Sequence, residues 1–289
     1  MRETVETMNF TKMQAIGNDY VYVDCFQETV RDPGKLSRAV SDRHFGIGSD
    51  GLILIQPSAI ADCKMDIYNA DGSRAEMCGN GIRCVGKYLW DKGYVKDPTA
   101  RIETLCGIKH LALLIEENQC VGACVDMGEP ELTARKIPVI WDENTVIDRE
   151  LTVGGKLYSI TCVSMGNPHC VVFSENCEEL NLPALGPLFE NHTVFPARVN
   201  TEFVTVLDRT HLRMRVWERG AGETMACGTG ACAVAVAAIL NHYCDREVTI
   251  TLNGGDLTIR WDEATNHVFM EGPANTSFEG TFYISEEDR

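Results

Sequence analysis

No stretch of the chain approaches the roughly 18 to 20 consecutive apolar residues that a membrane helix needs, and Met1 to Phe10 contain no apolar signal core. There is no basic cluster. Lys and Arg number 26 against 42 Asp and Glu, and the formal charge of −16 is the wrong sign for a surface that grips a phosphate backbone. A redox C-x-x-C pair is missing, and Cys78 and Cys84 stand further apart than the C-x₂₋₄-C spacing usual for zinc. The 13 cysteines are odd in number and scattered along the chain, which suits a reducing compartment better than a disulfide scaffold. These absences lead to the expectation of a cytoplasmic protein that engages neither membrane nor nucleic acid and holds no metal.

At 289 residues and 44% hydrophobic content, the chain is long enough for two domains with cores of their own. Its organising stretch is Met77-Cys78-Gly79-Asn80-Gly81-Ile82-Arg83-Cys84, echoed by Cys227-Gly228-Thr229-Gly230-Ala231-Cys232. Each copy sets a cysteine before a Gly-x-Gly turn, and the apolar residues that follow read as the start of a helix. The 149 residues that separate Cys78 from Cys227 define a register along the whole chain. In it Gly17-Asn18 falls on Gly166-Asn167, Val21-Tyr22-Val23 on Cys170-Val171-Val172, and residues 65–69 on residues 214–218. A repeat of half the chain implies two similarly folded domains rather than a solenoid of short units.

Taken in order, the seven residues before Met8 read as a frayed extension. Residues 10–16 and 20–24 read as a hairpin with Gly17, Asn18 and Asp19 at its turn, residues 35–44 as a short helix, and residues 52–55 and 64–69 as strands. The first cysteine helix follows, then alternating segments over 101–126. The second half repeats the plan, with strands at 158–164, 170–173, 203–207 and 212–217, a helix at 180–189, and an Ala-rich apolar helix at 230–242 that reads as buried all round. Strand-like runs at 248–252, 257–261, 268–271 and 281–284 close the chain. The expected fold is α+β, with two pseudo-symmetric, mostly antiparallel β domains each wrapping a central helix and the active site in the cleft between them. The expected domains are residues 1–122, completed by 273–289, and residues 123–272.

Most of the cysteines (Cys25, Cys63, Cys106, Cys120, Cys124, Cys162, Cys170, Cys177 and Cys244) read as small hydrophobes. Cys78 and Cys227 differ, because packing alone does not require the same Gly-flanked context at matching places in a repeat. A helix N-terminus offers unpaired N–H groups and a positive dipole end, which favour a thiolate and an anion bound beside it. Two such thiols suit proton exchange at a carbon centre. One removes a hydrogen from one face while the other returns a proton to the opposite face, inverting the centre. The Gly-x-Gly N–H groups would hold a carboxylate as charge spreads onto it, and the scheme demands no cofactor. A cysteine-rich metal or redox protein is the rival of a different class.

The motifs together resemble the diaminopimelate epimerase family, pyridoxal-phosphate-independent amino-acid epimerases, from Met8 onward. The matching stretches are residues 10–13 with Gly17-Asn18-Asp19-Tyr20, residues 68–73, 77–81, Gly166-Asn167-Pro168-His169, 198–203, Trp217-Glu218-Arg219-Gly220 and Cys227-Gly228-Thr229-Gly230. The resemblance implies reversible interconversion of LL- and meso-2,6-diaminopimelate in the supply of lysine and cell-wall precursors. It implies Cys78 and Cys227 as the acid/base pair, with Asn18 and the N–H groups of Gly79, Asn80, Gly228 and Thr229 at the reacting end. Asn69, Asn167, Asn200, Glu218 and Arg219 would hold the distal amino-acid group, and His169 and Glu218 would help to deprotonate the thiols. The implied partner is the small-molecule substrate, without cofactor, and homodimer formation is left open. A proline or hydroxyproline racemase shares the two-cysteine logic, but its ring substrate has no second amino-acid group to hold. Two departures stand out. Ala15 replaces a frequent glycine, and Gly51 replaces a frequent glutamine, which implies a lost polar contact.

Overall fold

The computed structural model describes residues 6–284 and contains two compact units, one running to Val125 and resuming at Gly272, the other Asp126–Glu271. The first begins with β1 (Glu6–Ala15), β2 (Asn18–Asp24), α1 (Pro33–Ser41), β3 (Gly51–Gln56), β4 (Cys63–Asn69) and β5 (Arg74–Ala75). It continues through α2 (Gly79–Asp91), β6 (Thr99–Thr104), β7 (Gly107–Glu116) and β8 (Gln119–Gly128). The second carries β9 (Arg149–Val153), β10 (Lys156–Ser164), β11 (Pro168–Phe173), α3 (Leu182–Glu190), β12 (Asn200–Val206), β13 (His211–Glu218) and β14 (Gly222–Glu223). After these come α4 (Gly228–Leu240), β15 (Glu247–Leu252), β16 (Gly255–Trp261) and β17 (Val268–Pro273), while β18 (Asn275–Ile284) pairs antiparallel with β1. The architecture is α+β and sheet-dominated.

The internal repeat reappears as matching strand registers within each unit. Chain-adjacent strands pair antiparallel, but β2 runs parallel to β3 with Tyr20 opposite Gly51, and β11 runs parallel to β12 with His169 opposite Asn200. These residues are equivalent in the 149-residue repeat. So are Tyr68 opposite Arg74 and Trp217 opposite Glu223, at the short strands that deliver the chain to each cysteine. An ion pair bridges each of these corners with its signs exchanged: Asp66 binds Arg74 in the first unit, and Arg215 binds Glu223 in the second.

Burial explains why the two cysteine helices sit where they do. The sequence of α4 is almost wholly apolar, and all of its residues from Gly230 to Ala238 are buried, against β10, β11, β12, β15 and β16. Polar atoms on such a helix would have to be matched one by one, so small apolar residues are the stable solution. The α2 helix is mixed and buries Ile82, Cys84, Val85, Leu89 and also Arg83, whose guanidinium bonds the Gly79 carbonyl (3.1 Å), the Asn80 side chain (2.9 Å) and the Pro273 carbonyl (3.2 Å). The core under β2 and β3 is Met8, Val21, Val23, Leu36, Val40, Leu52 and Leu54. In the second unit Phe189 packs edge-on against Phe203 and Tyr158.

Several element ends differ from the sequence reading. Glu6 and Thr7 belong to β1 rather than to a frayed extension, while residues 1–5 and 285–289 lie outside the described residues. The first hairpin turns at Ile16 and Gly17, both left-handed (φ 46° and 82°), as a tight two-residue turn requires, so Asn18 opens β2 opposite Ala15. Helix α1 stops at Ser41 because the Asp42 carboxylate takes the N–H groups of His44 and Phe45 and bends the chain away. Helix α4 spans 228–240 rather than 230–242, its first turn formed by the glycines that looked like punctuation.

Candidate active site

In the first unit, β5 leads into Cys78, which is the N-cap of α2 with extended backbone geometry. Its sulfur accepts from the Gly81 N–H at 3.2 Å and lies 3.3 Å from Oδ1 of Asn18. The asparagine is fixed from behind, because its Nδ2 donates to Asp50 Oδ2 at 2.8 Å and the same oxygen accepts from the Asp19 N–H at 3.1 Å. With its N–H₂ committed to a carboxylate, Asn18 turns its carbonyl toward Cys78. Arg43 pairs with both Asp19 and Asp50 and completes the brace. Tyr20, two residues on, is buried, and its hydroxyl favours the Cys78 thiolate.

In the second unit, Cys227 is the N-cap of α4 but makes no side-chain cap bond, and its sulfur lies 3.5 Å from the Thr229 hydroxyl. The Glu218 and Glu202 carboxylates lie near it. Glu218 accepts from the Thr224 hydroxyl and lies near the Cys227 thiol. His169 and Glu202 are both fully buried, with Nδ1 of the ring 2.7 Å from Glu202 Oε1 and Nε2 3.0 Å from Asn167 Oδ1. A Cβ at Gly230 would lie 2.7 Å from Glu202 Oε1 and 3.2 Å from the Cys227 sulfur, so glycine is needed there to admit the carboxylate.

At each thiol, burial outweighs the helix N-terminus that was expected to make it more acidic. Burial of the sulfur is the largest influence on Cys78 and pushes the thiol up, against the Gly81 N–H, the Tyr20 hydroxyl, the Asn80 N–H and Arg83. Burial also dominates at Cys227. There the Glu218 and Glu202 carboxylates push in the same direction, and the Thr229 hydroxyl and Gly230 N–H do not offset them, so this thiol is held well above its ordinary range. Burial likewise raises the Glu218 carboxyl, while Thr224, His169 and Cys227 favour its anion. Both thiols therefore rest protonated near neutrality, with the Glu218 carboxylate close to one of them.

The structure gathers Cys78, Asn18, Gly79 and Asn80 in the first unit. Asn80 contributes through its backbone, since its buried side chain is bonded to Arg83. Asn69 is exposed, bonded to Ser73 (3.0 Å), and pairs through its backbone with Gly51 of β3. In the second unit Cys227, Gly228, Thr229, Glu218, Asn167 and His169 converge. Asn200 acts there as a tie, donating to the Pro168 carbonyl (3.2 Å) and accepting from the Arg219 N–H (2.9 Å), while the exposed Arg219 guanidinium reaches the Ala197 carbonyl (3.0 Å). Sequence reasoning missed Tyr20, Asp50, Glu202 and Thr224. The 149-residue register carried a signal for Tyr20, which is the equivalent of His169; nothing of that kind marked the others.

At Gly51, where a polar contact was expected to be lost, the packing leaves no room for a side chain. A Cβ there would meet the Tyr68 carbonyl at 2.2 Å and the Tyr20 ring at 2.9 Å, so that space is filled. A cavity of about 560 Å³ in the first unit, lined in part by Asp24, Tyr88, Lys92 and Tyr94, holds none of the candidate residues. Among the described residues no cluster of three or more His, Cys, Asp or Glu side chains is arranged to hold a metal, and no helix is long and apolar enough to cross a membrane.

Comparison with known proteins adds a family to this geometry. The family model described as diaminopimelate epimerase matches residues 10–133 and 161–277. A diaminopimelate epimerase of Desulfovibrio desulfuricans is 56% identical over 283 residues, covering 96% of this chain and 99% of its own. One of Methanococcus maripaludis (strain C6) is 56% identical over 277 residues, covering 96% and 100%. Among solved structures, a hydroxyproline epimerase from Agrobacterium vitis superposes with a TM-score of 0.71 at 14% identity, over 98% of this chain and 94% of its own. A methylitaconate-delta-isomerase does so with a TM-score of 0.64 at 15% identity, over 98% and 97%. At such identities the two structures share the fold alone.

Proposed function

The chain belongs to the diaminopimelate epimerase family, and on that footing we propose that it interconverts LL- and meso-2,6-diaminopimelate with two thiols and no cofactor. The observation that carries this reading is the pair of Cys-Gly-x-Gly helix starts, Cys78 and Cys227, within a chain similar to epimerases of that name over nearly its full length. In the forward step one sulfur, as thiolate, takes the α-proton while the other, as thiol, delivers one to the opposite face. The reverse step exchanges their roles.

By similarity to the family, the carboxylate next to the reacting carbon falls to the N–H groups of Gly79, Asn80, Gly228 and Thr229 and to Asn18. Those donors gain strength as negative charge moves onto the carboxylate in the transition state. The distal amino-acid group falls to Asn69, Asn167, Asn200, Glu218 and Arg219, with donors for its carboxylate and an acceptor for its ammonium. Because both thiols rest protonated, one must first lose its proton. Glu218, near Cys227 and with its own carboxyl raised by burial, is matched to accept it, and His169 is the second group that could take a thiol proton.

We place the protein in the cytoplasm, supported by the thirteen free thiols. We also propose a homodimer, supported by the exposed Phe278 and Tyr283 on β18 and read out by light scattering. The activity is tested by incubating purified protein with LL-diaminopimelate and separating the products by chiral chromatography, with L-proline in parallel. Approach to a mixture of LL and meso isomers, with L-proline unchanged, is expected. Racemisation of L-proline without change in diaminopimelate would move the protein to the racemase branch.

A further inference from the structure

The face of β2 that meets the start of α2 carries three polar side chains in alternation, Asn18, Tyr20 and Tyr22. Asn18 Oδ1 lies 3.3 Å from the Cys78 sulfur, and the Tyr22 hydroxyl donates to the Gly81 carbonyl at 3.3 Å. The Gly81 N–H returns to the Cys78 sulfur at 3.2 Å. The residues on either side of Tyr20 along this face thus hold both ends of the turn from Cys78 to Gly81. Tyr20 stands between them, buried, with its ring edge-on to that of Tyr22 and the centroids 6.5 Å apart. A buried phenol needs a hydrogen-bond partner. Gly51 gives the ring its place, because a Cβ there, opposite Tyr20 in the parallel pairing, would come within 2.9 Å of its Cε1.

We propose that Tyr20 is a positioning residue that donates its phenol hydrogen to the Cys78 sulfur and holds that sulfur as a thiolate during proton transfer. At rest the Cys78 thiol donates to Asn18 Oδ1. That contact turns repulsive once the proton leaves, and Asn18 cannot offer its Nδ2 instead, because Asp50 takes it at 2.8 Å. The anion keeps the Gly81 N–H and needs a second donor. Burial first, then Cys78 and Asp50, push the Tyr20 phenol well up, so it stays a donor rather than a base. The repeat supplies an independent argument, since Tyr20 is equivalent to His169, Asn18 to Asn167 and Gly51 to Asn200. Each unit therefore sets an asparagine and, two residues on, a polar ring on the same strand. By the family resemblance the ring of the second unit serves a thiol, and the phenol is its counterpart in the first. Glycine stands at 51 where the family pattern frequently has glutamine, and the phenol supplies the polar contact that the glycine forgoes. The other titratable groups around Cys78 and Tyr20 are Arg83 and Cys84 on α2, Tyr22 on β2 and Asp50 ahead of β3. Behind them Lys12 pairs with Asp19, and Arg43 with Asp19 and Asp50.

The inference rests on the proposed role of Cys78 as an exchanging thiol, so its test has one arm that needs no substrate. The pH dependence of iodoacetamide alkylation at Cys78 and at Cys227 is followed by mass spectrometry of their peptides. The unmodified protein is compared with Tyr20→Phe, which removes one oxygen and keeps the ring. Loss of one donor to a charged sulfur should lift the Cys78 midpoint by about one pH unit, about a tenfold loss of thiolate at a given pH below it, and leave that of Cys227 in place. A Cys78 midpoint that stays where it was, or that moves only in step with Cys227, would overturn the proposal. A crystal structure of the unmodified protein in which the Tyr20 hydroxyl bonds to a group other than Cys78 would overturn it whether or not the variant folds. In the kinetic arm, the rising limb of kcat/KM against pH should move up by the same amount in Tyr20→Phe, in the direction of reaction that uses Cys78 as the base. A moved alkylation midpoint with an unmoved limb would remove Tyr20 from the proton transfer. Absence of turnover by the unmodified protein would contradict the proposed function, and the alkylation midpoints would then decide by themselves whether Tyr20 holds the thiolate.

Discussion

The sulfur of Cys78 accepts from its own helix at the Gly81 N–H, whereas that of Cys227 makes no cap bond and sits among the carboxylates of Glu218 and Glu202. Their shared Gly-x-Gly context made both legible in the sequence, because glycine admits the close approach that each site needs and the repeat exposed the coincidence. What distinguishes them was not legible. Asp50, Glu202 and Thr224 act through partners brought together by strand pairing, and a glutamate in the run Asn200 to Phe203 carries no mark of its burial. Gly51 is the reverse case, where departure from the family pattern suggested a missing contact but the Tyr68 carbonyl and the Tyr20 ring fill the position. Restoring glutamine by Gly51→Gln should therefore destabilise the protein by about 1–3 kcal/mol, as overpacking does. Urea unfolding reads this directly, and a variant as stable as its parent would show that the site has room.

Among the elements, the two cysteine helices were legible in existence and type, since an apolar run after Gly-x-Gly can bury only as a helix in this context. Their first turns were not, because glycines that open a helix look the same in sequence as glycines that end one. The hairpin turn was misplaced for a related reason: Ile16 is held at positive φ, where a β-branched residue is not anticipated. The corners that deliver the chain to each cysteine are held by ion pairs of exchanged sign, Asp66 with Arg74 and Arg215 with Glu223. Arg215 does more than pair. It binds both Glu223 oxygens (2.9 and 3.1 Å) and the carbonyls of Cys177 and Leu180 (2.9 Å each), tying β13 and β14 to the start of α3. Arg215→Met should cost about 3 kcal/mol, because it strands a carboxylate and several carbonyls at once. An unfolding midpoint unchanged in this variant would mean that the pair is surface decoration.

For the whole molecule, the half-chain repeat was the most informative feature of the sequence, since one offset aligned strands, corners and helices in both units. Composition carries a second consequence. Burial holds the thiols of Cys25 and Cys63 up to about 12 and those of Cys84 and Cys244 up to about 11. In the unfolded chain a thiol ionises near about 8.5. Between those values the folded protein keeps protons that the unfolded chain has lost, so stability is full below about pH 8.5 and falls as pH rises toward 11 and 12. The melting temperature should accordingly be lower at pH 10 than at pH 7.5, and an unchanged or higher value would mean that the buried thiols do not control alkaline stability. The central claim is that two thiols share one proton transfer. Proton NMR of LL-diaminopimelate in D₂O tests it most directly, with unmodified protein, Cys78→Ala and Cys227→Ala. Loss of the α-proton signal with appearance of the meso isomer is predicted for the unmodified protein, with epimerisation slowed by at least roughly 10²–10⁴-fold in each variant. Epimerisation at the parent rate by either variant would contradict the account.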